Sequence, residues 1–117
     1  MKRQFKFAAG LVFAMNAHAF ASTNCEIMQK FNCSHVAGCQ VVQNTIHINF
    51  DPDSKTYSRC DKNGCDDLSA EFSISGDFIN IAIPASGMLA KVSIDRTSFE
   101  EVVTLGSQVF VSFGLCK

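Results

Sequence analysis

The sequence predicts an all-β domain, a small antiparallel meander closing as an up-and-down β-barrel of about eight strands, stapled by disulfides and preceded by a signal helix. Three observations carry this. Apolar residues alternate with small polar ones through most of residues 46–113. Turn residues interrupt that alternation at close spacing. Six cysteines, at 25, 33, 39, 60, 65 and 116, follow an opening segment built like an export signal. A two-sheet sandwich has the same local pattern and is the alternative architecture.

In the opening segment, Lys2, Arg3 and Lys6 precede an apolar run from Phe7 to Met15. Ala17-His18-Ala19 and Ala19-Phe20-Ala21 then offer two overlapping small-x-small cleavage sites. The expected organisation is a signal peptide over 1–21 and a single secreted β domain over 22–117. The apolar run is too short to cross about 30 Å of hydrocarbon, so no stable membrane insertion is expected after cleavage. Asn24 stands directly before Cys25, where lipid attachment would need a small residue. The expected location is periplasmic or secreted.

Cleavage removes three of the ten Lys and Arg and none of the eleven acids. Seven cations against eleven acids leave a net charge of −4. That balance gives no electrostatic reason to bind a phosphate backbone or anionic lipid, so no nucleic-acid partner is expected. Asp66-Asp67 and Glu100-Glu101 read as solvated faces.

An even cysteine count in a small exported chain implies a disulfide framework. Six cysteines allow fifteen pairings, and sequence alone does not choose among them. Cys60 and Cys65 bracket Asp61-Lys62-Asn63-Gly64, a turn that would set them opposite each other on adjacent strands. Cys33 and Cys39 bracket another short loop, which leaves Cys25 and Cys116 near the two mature ends. Cys33, His35, Cys39, His47, Cys60 and Cys65 contain the residue types of a zinc site. No C-x2-C pair is present, and export favours disulfides over metal. No cofactor motif is present, and none is expected.

The strands follow in order. Cys25, Ile27 and Phe31 share one parity, and Ile46 to Phe50 alternate well. Asp51-Pro52-Asp53-Ser54 is a turn, and Lys55 to Cys60 a short strand. Leu68, Ala70, Phe72 and Ile74 alternate with polar residues before a Gly76-Asp77 hairpin turn. Ile79, Ile81 and Ile83 lead to Pro84, and Ala85-Ser86-Gly87 turns the chain. Met88, Ala90, Val92 and Ile94 alternate again. Phe99 to Leu105 is short and β-branched enough to be a strand, and Val109, Val111 and Phe113 form the last. The expected core is Leu68, Ala70, Phe72, Ile74, Ile79, Ile81, Ile83, Val92, Ile94, Val109, Val111 and Phe113.

No constellation carries catalysis. His47, a serine and Asp51 have the residue types of a hydrolase, but no G-x-S-x-G elbow supports one. The stretch from Asp61 to Asp67 lacks EF-hand spacing, since its glycine is fourth and its twelfth position is Phe72. Asn32-Cys33-Ser34 matches a glycosylation acceptor. Tyr57 and Arg59 share one strand face, either packed on each other or as part of a contact patch.

The size, signal segment, β pattern and terminal cysteine resemble the barrel-type periplasmic lysozyme inhibitors of bacteria. Their inhibitory loop carries a Ser-Gly pair, and Ser86-Gly87 lies between two predicted strands here. Met88-Leu89 replace the aromatic or basic anchors that follow that pair, and tryptophan is absent. Two expectations of function result. One is a noncatalytic, extracytoplasmic binding or structural protein whose partner is an envelope or extracellular protein. The other is an enzyme inhibitor acting through a rigid loop at Pro84, Ser86 and Gly87.

Overall fold

The structure is a computed structural model and describes residues 22–43 and 46–117. The expected signal peptide lies outside these residues. Ten strands are described: β1 (Thr23–Ser34), β2 (Gly38–Val42), β3 (His47–Asp51), β4 (Thr56–Asp61), β5 (Gly64–Ser69), β6 (Glu71–Ser75), β7 (Phe78–Ile83), β8 (Met88–Ser93), β9 (Phe99–Leu105) and β10 (Gln108–Cys116). All belong to one sheet of order β5-β4-β3-β1-β10-β9-β8-β7-β6, with β2 paired to β1 outside that path. The sheet is antiparallel throughout and curls into a nearly closed, barrel-like shape rather than two packed layers.

Closure comes from a bend at Ala70. The expected single strand from Leu68 to Ile74 divides there: β5 pairs with β4, and β6 leaves to pair with β7. The Ala70 amide donates to the Lys55 carbonyl at 2.9 Å, and its small side chain is buried at the corner. This division and the β1–β2 hairpin account for ten strands where about eight are expected.

Opposed residues of an antiparallel pair share a face, so the register reads out interior rows. One row is Ile79, Val92, Phe99 and Gly114. Another is Ile81, Ala90, Glu101, Ser112 and Lys30. Ile48, Phe50 and Tyr57 close the core from the opposite wall. Each fully buried isoleucine contributes about 1.5–3 kcal/mol relative to exposure.

Three expected core residues are exposed, and others are only partly buried. Ile74 is exposed, because β6 is the last strand of the sheet and no described strand covers its far side, and Ile94 is exposed in the loop after β8. Phe113 is exposed, and Val109 and Val111 are only partly buried. Both parities of β10 carry apolar residues, and Ser112 and Gly114 are the buried set. Gly114 points inward because β1 and β10 run very close: a Cβ there would overlap the Glu26 carbonyl oxygen. Phe31 also departs from the expected parity. The β1–β10 register shifts between Ile27 and Gln29, and this bulge turns Lys30 inward and Phe31 outward.

Three disulfides join directly opposed residues on neighbouring strands: Cys25–Cys116, Cys33–Cys39 and Cys60–Cys65. Such bonds persist in oxidising compartments.

Candidate functional site

The barrel buries one carboxylate. Glu101 lies on the same parity of β9 as Phe99 and Val103, between Ala90 and Ser112 on the flanking strands. Those small neighbours leave room for its side chain to cross the interior. On the far wall, Tyr57 and Arg59 share the inward face of β4. The Tyr57 hydroxyl donates to Glu101 Oε2 at 2.6 Å. Arg59 Nε donates to Oε2 at 3.1 Å and a terminal nitrogen donates to Oε1 at 3.0 Å, a bidentate fork. Burial, then the adjacent Glu101 charge and its hydrogen bond, push the Tyr57 hydroxyl well above the usual tyrosine range.

Lys30 enters beside this network, its Nζ 5.1 Å from the Phe110 ring centre. Burial first, and then repulsion from Arg59, lower its pKa, while Glu101 opposes that shift. The group therefore holds two cations and one carboxylate. Both Glu101 oxygens accept from fixed donors, an arrangement that ties the two walls of the barrel together.

Of the residues singled out in the sequence, Tyr57 and Arg59 are brought together, and onto a third partner. Glu101 was missed because Glu100-Glu101 reads as a solvated pair. An acid on the apolar parity of Phe99 and Val103 was the legible signal. His47 is exposed on β3 opposite Cys60, and His35 is exposed in the β1–β2 turn. Asp51 caps its own turn by accepting from the Asp53 amide at 3.0 Å, at the opposite end of β3 from His47. Asp61 does the same for Asn63 at 2.8 Å, which makes the Asp61–Gly64 segment a bonded hairpin turn. The Asn32 side-chain oxygen is buried and has no hydrogen-bond partner among the described residues. Among the same residues, no group of three or more His, Cys, Asp or Glu is placed to hold a metal ion.

The Pro84–Gly87 turn is exposed at all four positions. Its backbone is tied down: the Ser86 and Gly87 amides both donate to the Ile83 carbonyl, at 3.2 and 3.0 Å. Gly87 takes φ +69°, a left-handed conformation that disfavours side chains.

An open groove of about 450 Å³ runs across the outer face of β6 to β9. Ala82, Leu89 and Val102 give it an apolar floor, and Glu71, Lys91 and Glu100 stand around it. Lys91 is held over the Phe78 ring at 4.4 Å, which fixes a charge beside the groove.

Comparison with protein-family models, curated proteins and solved structures finds no match to this chain.

Proposed function

We propose that the protein is a noncatalytic binding module of the periplasm or extracellular space, which meets an envelope or extracellular protein on its outer surface. The observation that carries this reading is the state of Glu101. Tyr57 and Arg59 donate to both oxygens of the interior acid. The interior supports a scaffold. The outer groove over β6 to β9 supplies apolar contact area with charges at its margin, as recognition surfaces do. The groove lies on strands β6 to β9, which are paired in sequence along the sheet, and a surface ordered before binding loses less entropy on association.

Capture from envelope extract with the oxidised protein tests the reading when it is run beside a Leu89→Arg variant. A protein retained by the native surface and lost by the variant supports it. Hydrolytic turnover abolished by His47→Ala overturns it.

A second reading, inhibition of a lysozyme through Pro84, Ser86 and Gly87, draws on the exposure and double backbone anchoring of that turn. Inhibition at micromolar concentration, lost when Ser86 is enlarged, supports it. Absence of inhibition removes it and leaves the groove as the contact face.

A further inference from the structure

The edge of β2 and the apolar row that runs up to it point to a second copy of this chain. The registers Leu89↔Val102, Val102↔Val111, Val111↔Phe31 and Phe31↔Val41 set five apolar residues in one line on the outer face of β8, β9, β10, β1 and β2. Leu89 is 59% exposed and Val41 66% exposed. The line ends at β2, which among the described residues pairs only with β1.

The far side of β2 is a bonding edge. Opposed residues about 4.5 Å apart exchange no hydrogen bonds, so their N–H and C=O groups point away from each other. Cys33 and Cys39 stand 4.0 Å apart at Cα, and the pattern recurs at Phe31↔Val41. Cys39 and Val41 therefore direct their backbone groups away from β1, toward a side where no described strand lies.

The composition of this edge differs from that of the sheet's two other ends. β5 carries Asp66 and Asp67 and β6 begins at Glu71, charges that discourage strand addition. From Val36 to Ile46 there is no Lys, Arg, Asp or Glu. The neighbouring hairpin also leaves room. The turn end of the β4–β5 hairpin lies level with Glu26, through Glu26↔His47 and His47↔Cys60, and the turn follows directly after Asp61. Phe31 and Cys33 lie five and seven residues beyond Glu26 on β1.

We propose that two copies pair antiparallel through β2, about a twofold axis normal to the sheet. An antiparallel strand is its own complement under that operation, so a neutral edge meets an identical neutral edge without repulsion. The operation keeps faces, so the two outer apolar rows join at their Val41 ends. Each copy uses its single uncharged edge, so the assembly closes at two.

Sedimentation velocity on the oxidised protein over a micromolar to millimolar range should show a concentration-dependent shift to twice the monomer mass. Val41→Lys places a charge on the edge and should return the protein to monomer. Val41→Pro removes an amide hydrogen that β1 does not use and should do the same. Ile74→Lys, at an exposed site on β6, should leave the dimer intact. Unchanged far-ultraviolet circular dichroism establishes that each variant is folded. For the native protein alone, the Cys39 and Val41 amides should exchange hydrogen several-fold more slowly at high concentration than at low. A protein that stays monomeric throughout, or a dimer in which these amides exchange equally fast at both concentrations, overturns the proposal.

Discussion

The hydroxyl of Tyr57 and the carboxylate of Glu101, 44 residues apart in sequence, meet at 2.6 Å across the barrel interior. The consequence is a pH dependence with a defined sign. An unfolded tyrosine ionises near its model value of 10.0, whereas burial and the Glu101 charge hold the folded hydroxyl protonated well above that. The folded state thus retains a proton that the unfolded state loses, so stability falls as pH rises past about 10. Tyr57 is the chain's one tyrosine, and tryptophan is absent. Near-ultraviolet absorbance of tyrosinate therefore reports this residue alone. Tyrosinate should appear together with unfolding, in step with loss of the strand signal in circular dichroism. Smooth titration near pH 10 in a protein that stays folded would show that the hydroxyl is not buried on Glu101.

Breaking the ion pair from one side should cost more than deleting it. Arg59→Met leaves Glu101 buried with the Tyr57 hydroxyl as its hydrogen-bond donor and Lys30 as the remaining cation, a loss of about 3–5 kcal/mol for a buried pair and nearer the low end because the Arg59 side chain is 21% exposed. The quadruple variant Lys30→Met, Tyr57→Phe, Arg59→Met, Glu101→Leu removes every polar member, and apolar replacements of similar volume are often neutral. It should be more stable than Arg59→Met alone. Urea denaturation of the two proteins provides the comparison, and equal midpoints would mean that Glu101 is solvated in the folded state.

The strands from Phe78 to Ser93 were legible because one parity is apolar and the other is not, so alternation assigns the face directly. β10 was not legible for the opposite reason. Val109, Val111, Phe113 and Leu115 form an apolar parity, yet the interior takes Ser112 and Gly114. What decides this is the close approach of β1 to β10, a property of two strands some 90 residues apart in sequence. The β1 bulge is similar: inserting a residue at Met28 reverses the parity of everything after it, and nothing local to Met28 announces it. Glu101 was hidden by Glu100, since two adjacent acids suggest a wetted surface until the cation opposite one of them is known. The tightly spaced cysteine pairs were readable because a short turn fixes cross-strand opposition within a few residues.

That close approach makes Gly114 a sharp test of the fold. A methyl group at this position would overlap the Glu26 carbonyl and press on Ile27 Cα, both backbone atoms that cannot swing aside. Gly114→Ala should therefore destabilise by about 3 kcal/mol or more, at the upper end for overpacking. Thermal unfolding measures it. A change below about 0.5 kcal/mol, the scale of ordinary surface substitutions, would mean that the two strands are further apart than the structure has them.

The three disulfides should contribute unequally. Cys25 and Cys116 are 91 residues apart in sequence, whereas Cys33 and Cys39 are 6 apart and Cys60 and Cys65 are 5 apart. In the chain-entropy account the long loop is worth about 4–5 kcal/mol and each short one about 2 kcal/mol. Position reinforces the order. Cys25 is buried in the core cluster at the seam between the first and last strands, while the Cys33–Cys39 bridge sits on the exposed hairpin. Replacing Cys25 and Cys116 by alanine should lower the denaturation midpoint roughly twice as far as replacing Cys33 and Cys39. It should also expose the amides of Thr23 to Ile27 and of Gly114 to Cys116 to rapid hydrogen exchange, because losing the staple lets the β1–β10 seam open first. Equal effects of the two replacements, with the seam amides still protected, would show that the ladder holds the seam without its bridge.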